Sequence, residues 1–226
     1  MSAGSLHTGA AAGSIPGLRF AVLGAAPIEH AAAPTLGFAL QIESAGGRPI
    51  RSVLLDVQIR IAARRRAYDA GEQERLFELF GAAAGWGAAL RTLLWTRATL
   101  VVPPFTGRTE IELPVACSYD LEVAGARYFD ALGDGEVPLE FLFSGSVFYA
   151  DPDGRLQTAR ISWEAEAEYA LPVAVWRETM ERHFRGATWL RLQRESYERL
   201  RAYRARHALP TWEATLDALL ADEESA

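Results

Sequence analysis

A chain of 226 residues, half of them hydrophobic and with a net charge of −6, can bury one sizeable core and is too acidic for a general affinity for nucleic acid or anionic membrane. All 23 positive charges are arginines, which excludes a lysine Schiff base or a P-loop, and the single cysteine excludes an internal disulfide. No uncharged apolar run reaches the ~20 residues of a membrane span, so the chain is expected in the cytoplasm with no membrane partner.

Residues 1–17 are small and polar, lack a basic or an apolar stretch, and read as a disordered tail rather than a signal peptide. Strand signals follow at Leu18–Leu23 and Thr35–Ser44, the second closing at Gly46-Gly47. Val53, Leu55, Val57, Ile59 and Ile61 then alternate with Asp56, Gln58 and Arg60. That is the period-two pattern of a strand with one buried and one wet face.

Over residues 71–91 the period changes. Leu76, Phe77, Leu79 and Phe80 at helical spacing follow Glu72 and Glu74, acids suited to a helix N-terminus, and Gly81, Gly85 and Gly87 then break the helix. Trp86 is expected in the glycine-rich loop, flanked by glycines. Strands resume over Thr92–Val102. The longest alternation comes next, with Ile111, Leu113, Val115, Cys117, Tyr119, Leu121 and Val123 on one face.

A second interruption spans Arg127–Pro138 and holds Tyr128 and Phe129. Leu139, Phe141, Phe143, Val147 and Tyr149 lead to the turn Asp151-Pro152-Asp153-Gly154. The return strand is expected to bury Ile161, Trp163, Ala165, Ala167 and Tyr169 and to leave Glu164, Glu166 and Glu168 in water. Residues 18–171 thus read as a mainly β domain, an antiparallel β-sandwich with a short helical insertion at about 71–91. Residues 172–222 read as a C-terminal appendage of three helices, packed on the sandwich or on a partner.

The candidate chemistry is sparse. Of four histidines, His7, His30, His183 and His207, none has a second His or Cys at ligand spacing, so no protein-built metal site and no cofactor are expected. Asp151–Gly154 matches a turn better than a calcium loop, because Gly154 is fourth rather than sixth and Ser162 stands where a bidentate Glu is needed. Glu164, Glu166 and Glu168 are a solvated ladder. Ser144-Gly145-Ser146 is no nucleophile elbow, and Gly85-Trp86-Gly87 is no dinucleotide fingerprint. Cys117 is expected to be a buried structural thiol. No catalytic residue is assigned.

One surface stands out. Arg177 to Arg206 holds nine arginines and four glutamates, interleaved with Trp189, Tyr197 and Tyr203. Some of these charges pair along the helices, as Glu178–Arg182 and Glu198–Arg201. Arg194, Arg201 and Arg204, together with Trp86, are the candidate residues for docking a protein with an acidic face.

Several phrases carry a family likeness. They are Leu94-Trp95-Thr96, Val102-Pro103-Pro104-Phe105-Thr106-Gly107, Leu113-Pro114-Val115-Ala116-Cys117-Ser118-Tyr119-Asp120, Tyr128-Phe129, Pro138-Leu139-Glu140-Phe141-Leu142-Phe143-Ser144-Gly145, Leu171-Pro172-Val173-Ala174-Val175-Trp176 and Leu209-Pro210-Thr211-Trp212. Together they resemble a bacterial family, actinobacterial in type, built on a domain of unknown function and encoded near nickel–iron hydrogenase genes. The likeness runs from about Leu18 to Leu220 and brings no catalytic residue. It implies a non-catalytic binding or accessory role in the assembly or function of a hydrogenase-type redox complex. The alternative is a small-molecule-binding or hydrolytic sandwich with a pocket near Trp86 and Phe129.

Overall fold

The computed structural model describes residues 16–118, 120, 123–184 and 191–224. The expected tail up to residue 15, Tyr119 and Leu121 of the long alternation, and Trp189 lie outside the described residues. Strands β1 (Leu18–Pro27), β2 (Thr35–Ser44), β3 (Pro49–Ile61), β4 (Leu93–Val102), β5 (Phe105–Thr106), β6 (Arg108–Ala116), β7 (Glu136–Ala150), β8 (Leu156–Arg160) and β9 (Glu166–Pro172) form two antiparallel sheets. One sheet has the order β1-β2-β6; the other runs β4-β3-β7-β8, with β5 also on β3 and β9 also on β7. The fold is mainly β and sandwich-like.

Alternation decides the inner faces. Leu36, Phe38, Leu40 and Ile42 of β2 and Val53, Leu55, Val57, Ile59 and Ile61 of β3 are all buried, as period-two patterning requires. Rings close the space between the sheets. Phe20 stacks on Phe143 at 4.1 Å, and the edge of Phe38 meets Phe141 at 5.2 Å.

The long alternation departs from expectation at its end. β6 pairs with β2 only as far as Ala116 opposite Thr35. The Cys117 N–H still reaches the Pro34 carbonyl at 2.8 Å, but beyond it β2 has no extended backbone left to pair. The chain turns instead into α4 (Ala124–Asp130), a helix where periodicity gave only an interruption. Its Tyr128 and Phe129 are fully buried.

The return strand is also split. β8 pairs with Ser146–Ala150 and β9 with Glu136–Leu142. Between them Ile161 bonds to Gly145 and Ala165 to Phe143, so residues 161–165 oppose only residues 143–145. The surplus loops outward and carries Trp163 with it, 88% exposed. The expectation of a buried Trp163 is overturned: a bulge, not the alternation, sets its direction.

The insertion between β3 and β4 holds α1 (Ala70–Arg75), α2 (Phe77–Phe80) and α3 (Trp86–Ala89). α1 starts in a capping box, with the Asp69 side chain accepting the Glu72 N–H and Glu72 accepting the Asp69 N–H. α5 (Val173–Phe184) follows β9 directly and packs against β1, β2 and β9. The ring of its Trp176 stacks on Phe129 at 5.3 Å.

The chain divides into two units, Met1–Ala187 and Thr188–Ala226. α5 therefore groups with the strands, and the second unit consists of α6 (Arg194–Arg206) and α7 (Trp212–Glu224).

Candidate functional site

In the second unit, α6 ends because Ala208 takes a left-handed φ of 51°. The Leu209 N–H turns back to the Arg204 carbonyl at 3.1 Å, the closing bond expected at a helix C-terminus. Pro210 cannot continue α6. The Thr211 hydroxyl then accepts the Ala214 N–H at 3.1 Å and starts α7.

Arg204 braces this turn. Its Nε donates to the Leu209 carbonyl at 3.1 Å and its Nη2 to the Pro210 carbonyl at 2.6 Å. Its guanidinium lies 4.7 Å over the Trp212 ring, and that ring also contacts Tyr197 at 5.6 Å.

The two helices leave a groove of about 670 Å³ between them, lined by Leu192, Ser196, Arg199, Leu200, Ala202, Tyr203 and Arg206 on one side and Leu216 and Leu219 on the other. No residue of α6 is buried, and Leu192, Leu216, Leu219 and Leu220 are all substantially exposed. Two short helices have too little shared interior to bury such a stripe by themselves. The electrostatics are divided. α6 has five arginines against two glutamates, whereas α7 has five acidic residues and no basic one.

Among the residues singled out from sequence, Arg201 lies on α6 and pairs with Glu198 at 2.7 Å, and Arg194 opens α6 and is exposed. Arg204 lies on the same helix, and two of its five N–H donors serve the turn. The reading of Trp86 as a docking residue is corrected. It is buried in the other unit, with its indole N–H on the Gly81 carbonyl at 2.9 Å and its ring edge-on to Tyr68 and Phe80. Rings likewise fill the space beside Phe129, which contacts Trp95, Tyr128 and Trp176. Sequence reasoning missed Arg199 and Arg206, whose place in the groove depends on how α7 crosses α6.

A polar cluster inside the first unit was also missed, although the Asp69-x-x-Glu72 capping signature pointed to it. Arg66 donates to both oxygens of Glu72, at 2.8 and 2.9 Å, and also to the carbonyls of Asp134 and Glu136. The Gly133 N–H donates to Glu72 at 2.9 Å. Burial by itself would raise the Glu72 carboxyl, but the bonds from Arg66 and Gly133 outweigh it and hold the group below its ordinary value. The Tyr68 and Tyr128 hydroxyls meet at 2.7 Å, and burial pushes both phenols up. These groups satisfy one another and tie α1 to the loop before β7, so the cluster is structural.

A second cavity, about 650 Å³, lies on the β1-β2-β6 sheet among Gly24, Ala25, Ala26, Gly37, Ala39 and Glu110–Glu112. Small side chains make the trough, and the Glu112 carboxylate lies over Gly37. Among the described residues, no group of three His, Cys, Asp or Glu side chains is placed to hold a metal ion, and no helix is long and apolar enough to cross a membrane.

A family model described as "Family of unknown function (DUF6084)" matches residues 15–226. No curated protein matches the chain. Among solved structures, a β-glucosidase from Kluyveromyces marxianus is similar at 9% identity and a TM-score of 0.25, over 69% of this chain and 15% of that one. β-Glucosidase 3B from Thermotoga neapolitana, in complex with α-D-glucose, is similar at 15% identity and a TM-score of 0.22, over 69% of this chain and 17% of that one. The chain thus spans about one sixth of those proteins, and at such TM-scores the likeness carries no argument.

Proposed function

We propose that this chain, which belongs to the DUF6084 family, is a cytoplasmic, non-catalytic accessory protein that binds protein through the α6–α7 hairpin. The observation that carries this reading is the open groove with exposed leucines on both walls and arginines on its α6 side. Exposed apolar surface rimmed by charge is what a docking face offers: the leucines supply affinity and the charges set orientation. Because the sequence resembles a family encoded near nickel–iron hydrogenase genes, a hydrogenase-type redox complex is the first assembly in which to look for its place.

The test is affinity purification of the tagged full chain from its native host, beside a variant carrying Leu200→Asp and Leu219→Asp, with mass spectrometry of what co-elutes. Specific partners should disappear from the variant. An unchanged set of partners would remove the hairpin from the reading.

A further inference from the structure

We propose that the α6–α7 hairpin docks on the same hairpin of a second copy of this chain, forming a four-helix bundle in which each α6 lies beside the partner copy's α7. This rests on the reading of the hairpin as the docking element and names its occupant.

Three features favour a second copy. The first is charge. α6 has a surplus of three positive charges, and α7 has five acidic residues with no basic one. A two-fold axis presents the same patch from both sides, and in the bundle proposed here it sets basic α6 against acidic α7 twice over. A uniformly acidic partner would be drawn to α6 and repelled by α7. With each α6 beside the other copy's α7, the second copy meets both helices with the opposite sign.

The second feature is length. α6 and α7 are both 13 residues long, about 20 Å at the α-helical rise, so paired hairpins leave no overhang. The third is the position of the apolar residues. Leu200 and Tyr203 on α6 and Leu216 and Leu219 on α7 open into one groove, and bundle cores form from such stripes on facing helices.

The experiment is sedimentation equilibrium of the full chain, expected to give twice the 24.7 kDa chain mass. Leu200→Asp with Leu219→Asp should run as a monomer with an unchanged β-sheet circular dichroism signal. Two charge-reversed variants make the decisive test. Arg199→Glu with Arg206→Glu leaves both helices acidic; Glu213→Arg with Asp217→Arg and Asp222→Arg leaves both basic. Each alone should dimerise at least about tenfold more weakly, and an equimolar mixture should recover wild-type association, because the mixed pair restores opposite signs on both edges. Recovery on mixing also shows that each variant can still fold into the bundle.

A dimer indifferent to the leucines, or a mixture that does not recover, overturns the second-copy occupant. A monomeric wild type whose native-host partners still depend on Leu200 and Leu219 overturns it too, but leaves hairpin docking standing. A monomer whose partners ignore those leucines overturns both. A monomer whose groove amides exchange as slowly as those of the β-strands identifies the chain's own first unit as the cover, and also overturns it.

Discussion

The guanidinium of Arg66 and the carboxylate of Glu72 meet in a bidentate pair inside the first unit, with side chains only 9% and 4% exposed. The same two residues hold backbone groups where the chain enters β7: Glu72 accepts the Gly133 N–H, and Arg66 donates to the Asp134 and Glu136 carbonyls. The pair thus joins the insertion to the strand whose inner residues form the centre of the core.

Removing one partner leaves a buried charge without compensation, so Glu72→Ala should cost about 3–5 kcal/mol in urea unfolding at pH 7. The pair also gives stability a pH dependence of definite sign. The carboxyl titrates lower in the folded chain than its ordinary 4.5. Its contribution is therefore complete above that value and is lost as pH falls through the folded one. Glu72→Gln should flatten that part of the stability–pH curve; an unchanged curve would assign the acid dependence to other carboxyls.

Gly145 takes a φ of 130°, and a Cβ built there would collide with the Leu54 carbonyl oxygen on β3. Gly145→Ala should cost about 1–3 kcal/mol from backbone conformation alone, with the collision adding to it. Thermal unfolding of the variant measures the sum. A melting temperature equal to wild type would mean that β7 passes β3 differently.

Burial pushes the Cys117 thiol up to about 12, and its sulfur lies 3.7 Å from the Val115 carbonyl. At pH 8 the thiolate fraction is therefore negligible, and a disulfide reagent should label the native protein only at the rate of unfolding. Rapid stoichiometric labelling without denaturant would place the thiol at the surface.

Trp163→Ala should change stability by less than about 0.5 kcal/mol, the usual scale for an exposed side chain. Its loss should remove the red-most part of the tryptophan emission. A destabilisation of about 3–5 kcal/mol would instead return the residue to the core.

The sequence by itself determined the inner faces of β3 and β7 and the change to helical period after Pro172. Alternation and helical spacing are properties of a few consecutive residues, so they survive without knowledge of any partner. It also carried the ion pairs Glu178–Arg182 and Glu198–Arg201, which lie within single helices at 2.6 and 2.7 Å.

Tertiary structure alone decided the rest. β6 stops where β2 runs out at Pro34. Trp163 turns outward because five residues must pass three on β7. Trp86 is buried because the rings of Tyr68 and Phe80 lie over it, and Arg204 braces the turn because the carbonyls of Leu209 and Pro210 come within its reach. Each outcome depends on where a second segment of chain ends or passes, a relation between distant positions that local periodicity does not encode. The groove shares this origin: its leucines and arginines were visible one by one, but the crossing of α7 over α6 gathers them into a single face.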